Sequence, residues 1–355
     1  MNAITKTIPV RQITAGQLLD LNFPPREFAI DPWLKTGESA LLWAATGVGK
    51  TWMALSLALA MAGGGSVWRW SAPKARKVLY LDGEMNVQDI QERTRMLLDR
   101  GGVSADREAI RSNLMFLPRQ YQNPRATFFD ITSVADQGRI LSRMEEIGAE
   151  VIFIDNLTTC ADGLTDENAA TAFRSVMAFL LMMKAAGKTA ILVHHANKSG
   201  VDARGSTALE ATFEVKLGLH RPQVTKPGSA HFETRFGKFR GYGSDAIRDH
   251  VWLLDKDSGR WIVEEDAGDT DARVLAALKT LNYVNQGEIA DALGMTQSAI
   301  SKALAKLAGR GDIRKPDIDR LFIEARTIRR GEEDPFGETP GEDNRSPEVE
   351  TEAAF

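Results

Sequence analysis

Residues 41–51 constrain this chain more than any other stretch. They read Leu41-Leu42-Trp43-Ala44-Ala45-Thr46-Gly47-Val48-Gly49-Lys50-Thr51 and run straight into an apolar helical segment. A buried strand, a loop of small residues ending Gly-Lys-Thr, and then a helix make a triphosphate cradle. The loop N–H groups wrap the phosphates, and the helix N-terminus adds its positive dipole. In that geometry Lys50 reaches the β/γ-phosphates and the Thr51 hydroxyl sits on Mg²⁺, while Thr46, Gly47, Val48, Gly49 and Trp52 complete the nucleotide-binding stretch. Ala44 stands where the G-x-x-x-x-G-K-[ST] pattern has its first Gly. Ala is small enough for the loop to turn there, at some loss of backbone freedom. A bare Gly-Lys-Thr is common by chance, so the reading needs matching parts downstream.

The bulk properties leave room for those parts. At 355 residues the chain is long for one core, and about two domains are expected. The longest apolar stretch, Trp52 to Ala62, falls short of the roughly 20 residues of a membrane span and reads as the buried helix after the loop. The first residues, Met1 to Arg11, lack an apolar signal core, so a cytoplasmic protein with no membrane partner is expected. The lone Cys160 has no internal disulfide partner and no His nearby in sequence, which argues against a catalytic thiol. Charge is uneven. Residues 331–355 carry nine acids against Arg345 alone, whereas residues 271–330 carry eleven Lys/Arg against seven Asp/Glu. With a net charge of −4 overall, residues 1–270 are close to neutral. A basic folded segment followed by an acidic tail suggests a nucleic-acid module beside a disordered segment.

Residues 1–36 form a lead-in with turn signals at Pro24-Pro25 and Asp31-Pro32. From there to about residue 266, short apolar strands alternate with helical stretches. The strands are expected at 39–44, 77–82, 114–117, 150–155 and 189–194, and the helices at 49–62, 87–100, 133–147 and 168–186. Such alternation predicts an α/β fold with a doubly wound, mainly parallel sheet. After residue 210, Phe213 to Leu219, Ala230 to Arg240, His250 to Leu254 and Arg260 to Val263 read as antiparallel strands extending that sheet. A second domain is expected over 271–328. It has an amphipathic helix from Ala272 to Leu281, a helix from Gly287 to Leu293, and a third from Gln297 to Ala308 capped by Thr296. A hairpin-like alternation then runs from Asp312 to Glu324, which completes a winged-helix layout. Residues 331–355 read as the disordered acidic tail.

Several chemistry-bearing groups sit at predicted strand ends. Val151-Ile152-Phe153-Ile154-Asp155 is an apolar strand ending in a carboxylate, where a phosphate-loop ATPase places its second Mg²⁺-orienting group. The strand at 77–82 runs into Asp82-Gly83-Glu84-Met85; Asp82 and Glu84 compete as general base, and either would serve equally as a helix cap. His194-His195 close another strand. No Cys, His or carboxylate cluster accompanies them, so a polar sensor of the γ-phosphate or the lytic water fits better than half a metal site. Arg204 lies in a Gly-rich connection. Lys238-Phe239-Arg240 ends a strand and, if that strand is regular, puts Lys238 and Arg240 on one face. In a ring assembly these basic groups would reach a neighbour's phosphates.

The ordered set Ala-Ala-Thr-Gly-Val-Gly-Lys-Thr (44–51), Leu-Tyr-Leu-Asp-Gly-Glu-Met (79–85), Phe-Ile-Asp-Asn-Leu (153–157), Val-His-His-Ala-Asn-Lys-Ser-Gly (193–200), Arg-Gly-Ser-Thr (204–207) and Gly-Lys-Phe-Arg-Gly (237–241) resembles the RecA-like AAA ATPases related to the hexameric plasmid replicative helicase RepA. The resemblance covers roughly residues 20–265. It implies a RecA-like core using ATP and Mg²⁺, with Glu84 as base, Asp155 as the Mg²⁺-linked acid and His194/His195 as the sensor region. It also implies a homo-oligomeric ring, a hexamer favoured, with sites at subunit interfaces. The Lys-x-Arg at 238/240 looks like the trans-acting pair of RecA-like ring helicases and recombination ATPases, and the finger is one of Arg204, Lys238 and Arg240. Ala44 and the appended winged helix with its acidic tail depart from the family pattern.

In the second domain Gln297, Ser298, Ser301 and Lys302 would project toward a major groove, and Arg310, Arg314 and Lys315 would meet phosphates. These readings converge on a Mg²⁺-dependent ATPase acting on DNA, as a ring-forming replicative helicase or helicase-like motor of a plasmid, phage or mobile element. It would hold single-stranded DNA in the ring and duplex through the winged helix. Two alternatives stand beside it: an ATP-gated DNA-binding regulator, and a recombination or repair ATPase that does not unwind.

Overall fold

A computed structural model describes residues 11–164, 173–197, 203, 212–222, 225–241, 244–265, 270–293, 295–310 and 312–332. The chain divides into two units at residues 265/266.

The first unit is built on the strands that the sequence makes most apolar. β3 (Ser39–Ala44), β6 (Val78–Asp82), β8 (Val151–Asp155) and β9 (Thr189–His195) are buried along almost their whole length. That is the expected pattern for parallel strands covered on both faces. Before them come α1 (Ala15–Leu19), β1 (Phe28–Ile30) and β2 (Leu34–Lys35); β4 (Ser66–Val67) and β5 (Trp70–Ser71) form a small ribbon. With β7 (Leu114–Pro118), β10 (Val215–His220), β11 (Ala230–Lys238), β12 (His250–Leu254) and β13 (Trp261–Glu265), the main sheet has nine strands in the order β13-β12-β11-β10-β3-β9-β8-β6-β7. The phosphate-loop strand β3 and the carboxylate strand β8 flank β9, so three strand ends face one crevice.

Alternation along β3 sends Ala40, Leu42 and Ala44 to one core and Leu41 and Trp43 to the other. The first core is filled by α2 (Lys50–Gly63), whose Met53 to Ala62 are buried throughout, as the apolar run predicts. The second core takes Ile140 and Met144 of α5 (Val134–Ile147) and Val176, Phe179, Leu180 and Met183 of α6 (Arg174–Ala185). α3 (Val87–Asp99) and α4 (Arg107–Asn113) link β6 to β7.

One expectation about direction is corrected. The strand expected over Phe213 to Leu219 is antiparallel only to β11. Its other edge is parallel to β3, with Val215 opposite Ala40 and Leu219 opposite Ala44. Only β11, β12 and β13 form the antiparallel extension.

The second unit contains α7 (Thr270–Lys279), α8 (Gln286–Leu293), α9 (Gln297–Arg310) and α10 (Lys315–Glu332). Val274, Leu278, Ile289, Ile300, Leu304, Leu307, Ile318 and Phe322 form its core. The hairpin expected from Asp312 to Glu324 is not present, since α10 occupies that stretch. Ile318, Phe322 and Ala325 are buried at helical spacing, and Pro316 sits in the first turn, where its missing N–H is harmless. Ion pairing fastens the helix: Arg329 donates to both carboxylate oxygens of Glu288 on α8, at 3.0 and 2.8 Å. The acidic tail from residue 333 onward lies outside the described residues. Among the described residues no helix is long and apolar enough to cross a membrane.

Candidate functional site

Where β3 gives way to α2, the backbone explains the loop sequence. Ala44 is the last residue of β3, fully buried, and pairs with His195 on one side and Leu219 on the other. Among the described non-glycine residues only Trp68 and Leu281 have positive φ, so this strand position needs no glycine. Gly47 and Gly49 carry the turn, at φ +77° and +126°. At Gly49 a Cβ would lie 2.7 Å from Ala230 Cβ and 3.1 Å from the Phe232 ring, so both conformation and space demand glycine. Val48 is buried, while Thr46, Gly47, Gly49, Lys50, Thr51 and Trp52 line a cavity of about 290 Å³. Asp82, Glu84, Met85, Arg93, Asp155, Asn156, His195 and Ser229 complete its wall.

Lys50 is 8% exposed, and its Nζ lies 3.3 Å from His195 Nδ1. Burial pulls its pKa down, against the opposing charges of Asp155 and Glu84. A charged ammonium donates only, so a charged Lys50 would use Nδ1 of His195 as its acceptor. The two histidines separate by strand alternation. His195 lines the cavity, whereas His194 is fully buried and does not.

Asp155 ends β8 fully inside the protein. It accepts hydrogen bonds from Tyr80 Oη at 2.8 Å and from the Thr51 hydroxyl. Burial raises its pKa, and those two bonds oppose the rise. Asp82 is its register partner on β6. Burial, followed by the charge of Asp155, pushes Asp82 up to about 7. Asp82 Oδ1 caps the next turn by accepting from the N–H groups of Glu84 and Met85 at 3.0 and 2.7 Å, which is a structural task. Its Oδ2 is buried with no hydrogen-bond partner. An orphaned carboxylate oxygen beside a second buried carboxylate and a Thr hydroxyl suits a divalent cation. Mg²⁺ is held by one or two protein carboxylates plus phosphate oxygens and water rather than by a closed protein cage. Among the described residues no cluster of three or more His, Cys, Asp or Glu makes such a cage.

Glu84 is exposed at the cavity wall, and its Oε2 accepts from Asn156 Nδ2 at 2.5 Å. Asn156 follows Asp155 directly and received no role from the sequence; only the fold brings it to Glu84. Arg93 was also missed. It reaches from α3 to place its guanidinium 4.9 Å from the Trp52 ring centroid. Arg221, just past β10, donates to the Thr46 carbonyl at 3.1 Å. No spacing rule in the sequence would have found either arginine.

The expected basic groups lie elsewhere. Lys238 pairs with Lys216, which stands beside Leu41, three residues before Ala44. At ~3.3 Å per residue that places it about 10 Å down the sheet from the loop. β11 ends at Lys238, so Arg240 falls beyond the strand, 4.0 Å from Glu214, and neither basic residue lines the 290 Å³ cavity. Arg204 lies outside the described residues. Cys160 is buried, and burial pushes its thiol up to about 12, far from a reactive thiolate.

In the second unit Gln297, Ser298, Ser301 and Lys302 are exposed along α9, opposite its buried Ile300, Leu304 and Leu307. Arg314 and Lys315 are exposed, and Arg314 is paired with Asp317 at 2.9 Å.

Comparison with known proteins agrees with this division. A family model described as an AAA domain matches residues 5–201, and a MarR family model matches residues 267–319. A solved KaiC-like protein from the hyperthermophilic archaeon Pyrococcus horikoshii OT3 is similar at 16% identity and a TM-score of 0.48, over 72% of this chain and 100% of that one. No curated protein matches the sequence.

Proposed function

The chain belongs to the AAA domain family of phosphate-loop ATPases, and from that premise we propose that it is a Mg²⁺-dependent ATPase of the RecA/RepA-like type that acts on DNA. The observation that carries the proposal is the convergence of Lys50, Thr51, Asp82, Glu84, Asp155 and His195 on one cavity beside the loop. Thr46 to Trp52 would receive the nucleotide, with loop N–H groups and Lys50 on the phosphates. Thr51 would hold Mg²⁺ and Asp155 would orient it, with Asp82 close by. The ion, when bound, supplies neutralisation of the charge on the transferred phosphoryl group. Glu84 faces the cavity from an exposed position and would orient the attacking water for in-line displacement. His195, already against Lys50, suits the sensing of the γ-phosphate, while His194 points to the opposite face of β9, buried and away from the cavity.

Lys238 and Arg240 stand too far down the sheet to serve their own loop. They fit a trans-acting role in a homo-oligomeric ring, a hexamer by analogy with RepA, with Arg204 as a third candidate. The test is ATP turnover by the wild type, Lys50→Ala and Glu84→Gln. Both variants are expected to fold and to lose hydrolysis, and wild-type turnover in a clean Lys50→Ala preparation would refute the site.

A second reading, an ATP-gated DNA-binding regulator, is favoured by one observation: the polar face of α9 is exposed in a unit that matches the MarR family. Strand displacement on a forked duplex separates the readings. Unwinding that survives Lys302→Glu supports the helicase. Sequence-selective duplex binding that Lys302→Glu abolishes, without unwinding, supports the regulator.

A further inference from the structure

β7 ends at Pro118, and a single 3₁₀ turn, Arg119–Tyr121, follows it. Two side chains of this turn reach the framework behind the hydrolytic pair. Gln120 Nε2 donates to the main-chain carbonyl of Glu84 at 3.2 Å. Arg119 donates to the carbonyl of Thr159 at 3.0 Å. Thr159 is itself tied to Asn156, its N–H donating to Asn156 Oδ1 and its hydroxyl to the Asn156 carbonyl, each at 3.2 Å. Asn156 in turn holds the Glu84 carboxylate. The turn therefore meets Glu84 by two routes, one through its backbone and one through its side chain.

Tyr121, the third residue of the turn, is 74% exposed. Around it, residues 119–129 read Arg-Gln-Tyr-Gln-Asn-Pro-Arg-Ala-Thr-Phe-Phe, with two arginines, three side-chain amides and no carboxylate. The loop keeps its shape through its own hydrogen bonds: Gln122 Nε2 to the Pro118 carbonyl at 2.9 Å, and the Arg125 N–H to Asn123 Oδ1 at 2.9 Å. Arg125 is exposed beside it. A presented ring flanked by a cation and amides, in an acid-free stretch, matches the chemistry of unpaired nucleic-acid bases. The ring stacks on a base face and the arginine meets a phosphate. A duplex buries its base faces within the stack, so the fitting ligand is a single strand.

We propose that the 119–125 turn is a single-stranded nucleic-acid contact, and that its occupancy is transmitted to Glu84 through Gln120 and through Arg119, Thr159 and Asn156. Only the transmission rests on Glu84 being the hydrolytic base; the contact itself does not.

The test uses the full chain, a fluorescent polythymidine strand read by anisotropy, and ATP turnover with and without that strand. In the wild type the strand binds and changes turnover. Tyr121→Ala is expected to weaken binding roughly 5- to 100-fold, the range for loss of one stacked base, and Tyr121→Phe to restore most of it. Arg125→Ala weakens binding in a salt-dependent way. Both Tyr121→Ala and Arg125→Ala leave turnover without the strand at the wild-type level. Gln120→Leu keeps wild-type binding but loses the strand's effect on turnover. Wild-type polythymidine affinity in Tyr121→Ala overturns the contact, and an undiminished strand effect in Gln120→Leu overturns that route of transmission. A wild-type chain with no turnover at all would instead refute the ATPase reading and the transmission, while Tyr121→Ala anisotropy still decides the contact.

Discussion

Ala44→Gly restores the family pattern at the one position where the loop departs from it, and the structure predicts that the restoration does harm. Ala44 is a fully buried residue at the end of β3, hydrogen-bonded into the sheet between β9 and β10. Glycine at an element position costs roughly 0.5–1 kcal/mol in unfolded-state entropy relative to alanine. Removing the buried methyl forfeits about 0.8 kcal/mol of transfer free energy. The sum is a loss of roughly 1.3–1.8 kcal/mol with no gain in loop geometry, because the φ values that need glycine belong to Gly47 and Gly49. Urea unfolding followed by tryptophan fluorescence measures this cleanly, since all seven tryptophans, Trp33 to Trp261, lie in the first unit. The midpoint should fall with the slope unchanged, and ATP affinity should stay near wild type. Gly49→Ala is the converse. Its φ of +126° and a Cβ only 2.7 Å from Ala230 combine backbone strain of ~1–3 kcal/mol with overpacking of ~1–3 kcal/mol, and nucleotide binding should be lost with the loop shape. An Ala44→Gly protein as stable as wild type, or one that binds ATP tenfold tighter, would show that Ala44 distorts the loop and would refute this account.

Other outcomes follow from the same geometry. Asn156→Ala should lower kcat for ATP at least roughly tenfold while moving KM little, because it frees the Glu84 carboxylate without touching the phosphate loop; equal losses in both parameters would place Asn156 in nucleotide binding instead. Glu27, hydrogen-bonded to Lys74 and Arg76, has its pKa held down to about 2 from 4.5. A depressed carboxylate contributes stability that is present above the unfolded value and is lost as pH falls through the folded value. The wild type should therefore lose stability relative to Glu27→Gln between about pH 4.5 and 2, and the difference should shrink in high salt; parallel acid-melting curves would count against the pairing. Phe322→Ala, in the core of the second unit, should cost ~3–5 kcal/mol there and leave tryptophan fluorescence of the first unit unchanged.

The parts of the fold that could be read from the sequence are those in which one local pattern decides the outcome. Val151–Asp155 and Thr189–His195 are buried on both faces and therefore read as continuous apolar runs, whose ends bring carboxylate and imidazole to the crevice. The turn glycines and Lys50 were legible because the chemistry of phosphate binding allows few substitutes. The direction of Val215–His220 was not, since an apolar strand has the same pattern whether its neighbour runs parallel or antiparallel. Asn156, Arg93 and Gln120 were equally hidden: each acquires its task from a neighbour 36 or more residues away in the chain, apart from any motif spacing. Asp82 and Glu84 looked interchangeable until the backbone showed one carboxylate turned in to cap the turn and the other left at the cavity wall.

The second unit shows a different failure, a conflict between two periods in one short stretch. Ile313, Ile318, Phe322 and Ala325 are buried at intervals of five, four and three. In the sequence alone, Pro316 and the interleaved Asp317-Ile318-Asp319 read instead as the turn and alternation of a small hairpin. What decides the outcome is long-range. Arg329 is 41 residues from Glu288, yet it donates to both oxygens of that carboxylate and also to the carbonyl of Asn282, fastening the end of α10 to α8 and to the turn before it. A hairpin ending near Glu324 would leave Arg329 no fixed path back to α8, whereas a helix running from Lys315 to Glu332 places it four turns along on a defined face. The same helix takes Ile318 and Phe322 into the core that seats α9, so the orientation of the exposed Gln297, Ser298, Ser301 and Lys302 depends on α10 remaining helical.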